Sequence, residues 1–223
     1  MKGEVRMGKQ AVNILNGQSM YNYFKRYNMM TNGIYIPFNE AMCIGDVSEQ
    51  IFSDDFLNKR CAIHQVSRDQ YQEITLNNLT PLLNLNFDKI VLWFDDDMFC
   101  QMNLLTLLAY LDKVSFKGDI TFNLVEKHFE LLNTYPIQVE GYYEIYREVM
   151  INKKQVTTIP LTTLKEGITL YLELTQKKTE ITAYIKNHEQ DDINTLVTKL
   201  INRFSNYGLG DTQYMAMINE IRS

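Results

Sequence analysis

The chain has 223 residues, of which 45% are hydrophobic and 22% are charged, and its formal net charge at pH 7 is −5. Such a composition is typical of a globular protein that can bury a sizeable core. The negative charge disfavours nucleic-acid binding, because non-specific binding relies on a surplus of Lys and Arg. No apolar stretch reaches the roughly 18–20 residues of a membrane span, and no secretory signal is evident, so we expect a cytoplasmic protein without membrane contact.

The first half of the chain alternates apolar runs with helical patterns. Residues 11–15 form a short apolar run that ends at Asn16-Gly17, a turn signal, and Ser19 is a good N-cap for the helix that follows. The order strand, helix, strand, two helices, strand, helix, strand is typical of a parallel sheet flanked by helices. The sequence therefore predicts a Rossmann-like α/β domain at about 8–130. Further strands are predicted at 33–38, 89–94 and 119–124, and helices at about 53–84 and 99–113.

The pattern changes after Pro136. Four segments read as helices or helix fragments, and no strong strand is evident, although residues 180–185 (EITAYI) are ambiguous. The chain has no linker rich in Pro, Gly or Ser. We therefore expect a mostly helical region at about 135–223 that packs on the α/β domain. The segments are 141–150, 161–174, 180–186 and 193–204.

Cysteines and histidines are scattered, three of each, without CxxC or HxxxH spacing. This pattern favours reduced thiols over a disulfide framework or a zinc site. Cys43 and Cys100 lie near the loops described next, but no histidine is close in sequence. Both are interpreted as buried structural thiols.

Polar residues follow three of the predicted strands. In open parallel sheets, ligands bind outside the carboxyl ends of the strands, where the strand order reverses. If the three strands are parallel neighbours, their polar residues converge on one cleft. The candidate ligand-binding residues are Asn16, Gly17, Gln18, Ser19, Asn39, Asp95, Gln101 and Asn103, and the candidate catalytic residues are Glu40 and Asp97.

Two of these loops suggest specific chemistry. The loop at 16–19 leads into a helix N-terminus, which attracts phosphate or carboxylate, although a tight turn with an N-cap serine also explains it. The three carboxylates at 95–97 repel one another unless solvent, a cation or a helix N-terminus compensates. Mg²⁺ binding through Asp97, acid–base chemistry by Asp97 and Glu40, and a solvated loop with one aspartate as an N-cap all remain open.

Three segments resemble a known family. They are ILNGQSM at 14–20, FNEAMCIGDV at 38–47 and WFDDDMFCQMNLL at 93–105. On these segments the chain resembles the uncharacterised bacterial family called domain of unknown function 1835. The resemblance implies the fold and a shared strand-end site, but no established activity. The matching positions are Asn16, Gly17, Ser19, Glu40, Gly45, Trp93, Phe94, Asp97, Gln101 and Asn103.

Three loop residues depart from the family pattern. Gln18 stands where the family has aspartate, Asn39 where it has arginine, and Asp95 where glutamate is common. These departures remove one acid and one arginine from the loops. The resemblance therefore implies the position of a site in this chain, but it implies no mechanism that depends on the charges of these loops.

The residues favour one function and leave a second open. The first is binding of a small polar or phosphorylated ligand, a nucleotide among the candidates, with metal-assisted hydrolase or transferase activity as its extension. The backbone N–H groups of Gln18 and Ser19 would hold the anion, and Asp97 and Glu40 would bind a metal ion or move a proton. The alternative is a non-enzymatic interaction or regulatory protein whose helical half forms a homodimer or binds a partner.

Overall fold

The computed structural model describes residues 11–31, 33–84, 87–176 and 178–222. In these ranges five strands form one sheet, in which the first four are parallel and the fifth is antiparallel to its neighbour. The strands are β1 (Val12–Leu15), β2 (Ile34–Pro37), β3 (Lys89–Phe94), β4 (Asp119–Glu126) and β5 (Glu130–Ile137). The strand order across the sheet is β2-β1-β3-β4-β5.

Helices connect the parallel strands and make up most of the described chain after β5. The predicted α/β fold, with a mostly parallel sheet, flanking helices and a helical C-terminal region, is therefore confirmed. The helices are α1 (Gly17–Arg26), α2 (Asp54–His64), α3 (Arg68–Tyr71), α4 (Asn77–Leu83), α5 (Met98–Lys113), α6 (Tyr142–Tyr146), α7 (Thr162–Leu174), α8 (Glu180–Asn187), α9 (Ile193–Arg203) and α10 (Asp211–Arg222). Two π-helical segments follow α3 and α6, at Gln72–Leu76 and Arg147–Ile151, and a 3₁₀ turn lies at Ser205–Tyr207.

The two faces of the sheet carry separate clusters of buried side chains. Successive side chains of a strand point to opposite faces, so Ile14 and Leu15 of β1 belong to different clusters. Ile14 joins the larger core, together with Leu92 of β3. Leu15 joins a smaller cluster with Phe24 of α1. Helix α1 therefore covers one face of the sheet, and the larger core occupies the other.

Helix α5 lies at the centre of the larger core. Every residue from 100 to 111 is buried, which is typical of a helix enclosed on all sides. Its neighbours include β3 on one side and α6 and α7 of the C-terminal region on the other. The C-terminal helices are thus packed on the α/β part through α5. Within the described ranges, no helix is both long enough and apolar enough to cross a lipid bilayer.

Strand β5 is a feature that the sequence analysis does not predict. Its first five residues are exposed, including Leu131 and Leu132, so its hydrophobic pattern has no alternation. Pro136 lies within it, which an edge strand tolerates because that N–H need not join a ladder. β5 spans the interval between the predicted regions 8–130 and 135–223. The division into those two regions stays a prediction.

The structure corrects one predicted helix N-cap and resolves one ambiguous segment. Helix α1 begins at Gly17 with Asn16 at the N-cap, so the prediction of Ser19 as N-cap is wrong. The ambiguous segment at 180–185 lies in α8, where the Thr179 hydroxyl accepts a hydrogen bond from the N–H of Thr182 at 3.0 Å. A capping interaction of this kind favours the helix over a strand.

Helices α5 and α7 approach each other closely at Gly167. A Cβ added there would lie 2.6 Å from Cβ of Gln101, which is closer than carbon atoms can pack. We expect Gly167→Ala to lower the free energy of unfolding by about 1–2 kcal/mol, although alanine favours helices over glycine. Urea denaturation would measure the change.

Glu166→Ala, on the exposed side of the same helix, is the matched control, and we expect a change within about 0.5 kcal/mol. A Gly167→Ala variant as stable as the wild type would contradict the close contact between α5 and α7.

Candidate functional site

The strand order reverses between β1 and β3. The chain passes from β1 to β2 on one side of β1, and later returns to form β3 on the other side. The carboxyl ends of β1 and β3 are adjacent, since Leu15 pairs with Trp93 and the N–H of Asn16 donates to the carbonyl oxygen of Trp93 at 3.1 Å. This is the position at which open α/β sheets bind ligands.

A buried amide joins the loops that follow β1, β2 and β3. Nδ2 of Asn103 donates to Oδ1 of Asn16 and to the carbonyl oxygen of Glu40, both at 2.8 Å. Oδ1 of Asn103 accepts from the N–H of Met42 at 2.9 Å. Asn16, Glu40 and Asn103, which the sequence analysis groups together, are therefore in direct contact. Asn103 itself is fully buried, so its contacts are with protein atoms.

The Glu40 carboxylate lies in a buried network that the sequence analysis does not predict. Nη2 of Arg60 lies 2.6 Å from Oε2 of Glu40, and the Tyr71 hydroxyl donates to Oε1 at 2.5 Å. Nε2 of His64 lies 3.1 Å from Oε2. Arg60 and His64 are four residues apart and so share one side of α2, which is the only sequence signal for the network.

This network determines the charge of Glu40. Burial alone would raise the pKa of its carboxyl, but the hydrogen bond from His64 and the charge of Arg60 outweigh it and lower the pKa to about 2. The Arg60 guanidinium also donates to the carbonyl oxygens of Ala41 and Ile44, at 2.9 and 2.7 Å. The ion pair therefore fixes the loop after β2.

Asp97 caps helix α5. Its Oδ1 accepts from the N–H of Cys100 at 2.7 Å, in agreement with the interpretation of one aspartate as an N-cap. Gly208 covers the carboxylate, and a Cβ at Gly208 would lie 2.3 Å from Cγ of Asp97. Burial raises the pKa of Asp97 above its usual range. A C-terminal loop thus encloses the residue that the sequence analysis predicts as a catalytic acid or metal ligand.

Asp95 and Gln101 lie next to this cap. Nε2 of Gln101 donates to the carbonyl oxygen of Asp95 at 2.6 Å, while Oε1 of Gln101 is buried without a hydrogen-bond partner among the described residues. The N–H of Asp96 donates to Oδ1 of Asp95 at 2.7 Å. Burial raises the pKa of Asp95 to about 7, and the Asp96 side chain and the charge of Asp97 add to this shift, while the hydrogen bond from the N–H of Asp96 opposes it. Asp95 therefore changes its protonation state near neutral pH.

The N-terminus of α1 is not capped by a side chain. Asn16 occupies the N-cap position, but its amide is engaged with Asn103 and donates to Sγ of Cys100 at 2.8 Å. Gly17 has a φ of +86°, and a Cβ built on it would meet no atom within 4 Å. Gln18 is exposed. The first N–H groups of α1 therefore have no side-chain cap, and they follow directly after the carboxyl end of β1.

Gln18 and Asn39 form the outer rim of this region. Nδ2 of Asn39 donates to Oε1 of Gln18 at 3.3 Å and to the carbonyl oxygen of Ile74 at 3.0 Å. Ser19 is exposed in the first turn of α1. The predicted site residues therefore differ in their exposure. Gln18 and Ser19 are exposed, while Glu40, Gln101 and Asn103 are buried. The remaining five are partly buried, namely Asn16, Gly17, Asn39, Asp95 and Asp97.

Comparison with known proteins adds no assignment. The chain matches no protein-family model, and no similar protein or structure was found among curated proteins and solved structures. The resemblance to domain of unknown function 1835 stays a prediction. In the described part of the chain, no three or more His, Cys, Asp or Glu side chains are grouped so that they could hold a metal ion.

The Glu40–Arg60 pair makes stability depend on pH. Because the folded-state pKa of Glu40 is about 2 and its ordinary value is 4.5, the carboxylate stabilises the fold above pH 4.5 and loses this contribution as pH falls toward 2. The shift corresponds to about 3 kcal/mol. We expect Glu40→Gln to lower the free energy of unfolding at pH 7 by about 3–5 kcal/mol, since Arg60 would stay buried without its carboxylate.

Denaturation at pH values from 7 to 3 would test this expectation. Glu144→Gln, which removes one carboxylate of an exposed ion pair with Arg147, is the control and should change stability by less than about 1 kcal/mol. The loss of stability below pH 4.5 should be shallower in Glu40→Gln than in the wild type. Equal slopes would show that Glu40 is not ion-paired in the folded protein.

Proposed function

We propose that this protein binds a small polar ligand with a phosphate or carboxylate group at the carboxyl edge of its sheet, between β1 and β3. One observation carries the proposal. The side chain of the cap residue of α1, Asn16, bonds to Asn103 and Cys100, so it does not cap the first N–H groups of α1 at the reversal of strand order. Such N–H groups, together with the helix dipole, are a ready site for an anion.

The surroundings of these N–H groups are compatible with an anion. Helix α1 has no acidic residue in its first turn, and Gly17 leaves room for a ligand atom to approach the backbone. The β3 loop carries three carboxyl groups, at residues 95–97, and the raised pKa of Asp95 removes most of the negative charge of that residue below about pH 6. A protonated Asp95 would repel no anion and could donate a hydrogen bond to it.

The ligand should also carry hydroxyl or amine groups. Gln18, Asn39 and Asp95 offer amide and carboxyl groups at the rim, which suit a sugar phosphate or a nucleotide better than a bare anion. These polar groups would fix the orientation of the ligand. The proposal therefore names the class of small phosphorylated or carboxylated polyols, with nucleotides among them.

The proposal concerns binding and not turnover. The two carboxylates predicted to be catalytic already accept hydrogen bonds from protein groups, Glu40 from Arg60 and Tyr71, and Asp97 from the N–H of Cys100. These contacts support roles in holding the loops. Acid–base chemistry by Glu40 and Asp97, and Mg²⁺ binding, stay predictions.

A carboxylate placed at the N-terminus of α1 should compete with the ligand. We expect sulfate or ribose 5-phosphate, each at a concentration of about ten times its Kd, to stabilise the folded wild type by about 1.4 kcal/mol through mass action. Gln18→Glu should lose most of this gain, because its carboxylate would neutralise the same N–H groups. Thermal unfolding with and without each anion would measure the effect.

Gln155→Glu makes the same change of charge at another exposed position and should keep the full response. If both variants respond as the wild type does, the N-terminus of α1 is not the anion site.

Anion binding should also depend on the protonation of Asp95. Its pKa in the folded protein is about 7, so its negative charge appears as pH rises through that value. Sulfate keeps its charge from pH 6 to 8, and we expect it to stabilise the wild type more at pH 6 than at pH 8. Asp95→Asn should remove most of this difference, as measured by thermal shift at both pH values.

Asp119→Asn, at the opposite end of the sheet, is the charge-matched control and should retain the pH dependence of the wild type. A pH dependence that persists in Asp95→Asn would assign it to another group and contradict the role of Asp95.

A further inference from the structure

A groove of about 490 Å³ follows the outer face of α1. Helix α1 supplies one wall through residues spaced three or four apart, which place their side chains on one face. Phe129, in the turn between β4 and β5, supplies the opposite wall. The volume lies within the range of small-molecule pockets. The α1 residues that line it are Ser19, Asn22, Tyr23, Lys25 and Arg26, and the C-cap residue Tyr27 lines it as well.

Aromatic rings form the apolar part of the groove. The ring of Tyr23 lies 5.2 Å from that of Phe129 and 4.4 Å from that of Tyr27, measured between centroids. Tyr27 is 57% exposed, so its ring has a large free surface. Three neighbouring rings with exposed surface suit a flat aromatic ligand.

The turn that supplies Phe129 has an unfavourable backbone. His128 and Phe129 both adopt left-handed conformations, with φ of 62° and 59°. Each such residue costs about 1–2 kcal/mol when it is not glycine. The turn directs Phe129 back onto Tyr23. The fold therefore holds one wall of the groove in place at the expense of local backbone energy.

The charged part of the groove consists of Lys25 and Arg26. Among the described arginines, Arg26 alone has a side chain without an ion pair, hydrogen bond or aromatic contact with another described residue. Lys25 is exposed, and its side chain likewise has no such contact in the described ranges. Two unpaired cations beside three aromatic rings form a site for an anion attached to a ring.

We infer that this groove binds an aromatic monophosphate of the nucleoside monophosphate class. The base lies against Tyr23, Tyr27 and Phe129, and the phosphate contacts the Arg26 guanidinium, with Lys25 adding charge. An arginine can hold a phosphate through two parallel hydrogen bonds. Neutral nucleosides keep only the ring contacts, and free phosphate keeps only the charge contacts, so both bind more weakly.

This site is separate from the one under Proposed function. Residues 18 and 26 of α1 lie about 12 Å apart along the helix axis, at about 1.5 Å per residue. The start of α1 and the backbone of Arg26 therefore lie at opposite ends of the helix, and Ser19 is the residue of the first turn that also lines the groove. The two sites can be removed one at a time by substitution.

Isothermal titration calorimetry at low salt with AMP, adenosine and inorganic phosphate tests the inference. We expect AMP to bind the wild type more tightly than either of the other two. Arg26→Gln should weaken AMP binding at least about tenfold, and Arg26→Lys should restore part of it. Phe129→Leu should weaken AMP and adenosine but leave phosphate unchanged. Lys165→Gln, at an exposed position of α7, is the control for loss of one positive charge.

Each outcome decides the inference. Loss of AMP affinity in Arg26→Gln and Phe129→Leu, with Gln18→Glu and Lys165→Gln unchanged, supports the groove. Loss in Gln18→Glu alone places AMP at the start of α1, which supports the proposed function and overturns the groove. Equal affinity in all variants, or no heat from millimolar AMP, overturns it as well. Circular dichroism spectra like that of the wild type would show that each variant is folded.

Discussion

The arrangement of the sheet edge depends on one buried side chain, the amide of Asn103. It donates to the loops after β1 and β2 from a position in α5, the helix that follows β3. A buried amide without partners would cost a few kcal/mol, so these bonds restrict the loops to one arrangement. The three loops that could form a binding site are thereby held by protein contacts before any ligand is present.

The same bonds explain why the start of α1 is open. An Asn at an N-cap ordinarily accepts a hydrogen bond from the helix N–H groups. Asn16 accepts from Asn103 instead, and its amide nitrogen donates to Cys100. Asp97 and Ser53, at the N-caps of α5 and α2, do accept from their helices. The polar network thus fixes the loops and leaves one helix N-terminus without a cap.

The sequence predicts where the strands end more reliably than it predicts which way the polar residues point. The convergence of Asn16, Glu40 and Asn103 follows from the parallel order of the strands. Their burial does not, because hydrogen bonds between distant residues decide it. Arg60 and Tyr71, which lie 20 and 31 residues after Glu40, carry no pattern that links them to it.

The edge strand β5 was beyond prediction for a related reason. It is exposed on both faces over most of its length, so hydrophobic alternation is absent. Its pairing with β4 includes a bulge between Leu124 and Val125, and tertiary contacts rather than local preference establish it. The groove beside Phe129 depends on this same hairpin, and no sequence signal marked it.

Charge is distributed unevenly along α1, and this connects the two proposed sites. Lys25 and Arg26 lie in the last turn, where the helix dipole favours cations, while the first turn has neither an acidic residue nor a side-chain cap. The resemblance predicts aspartate at the position of Gln18, and a carboxylate there would interact favourably with the positive end of the helix dipole. With glutamine in its place this negative charge is absent, and an anion bound from solution would supply it.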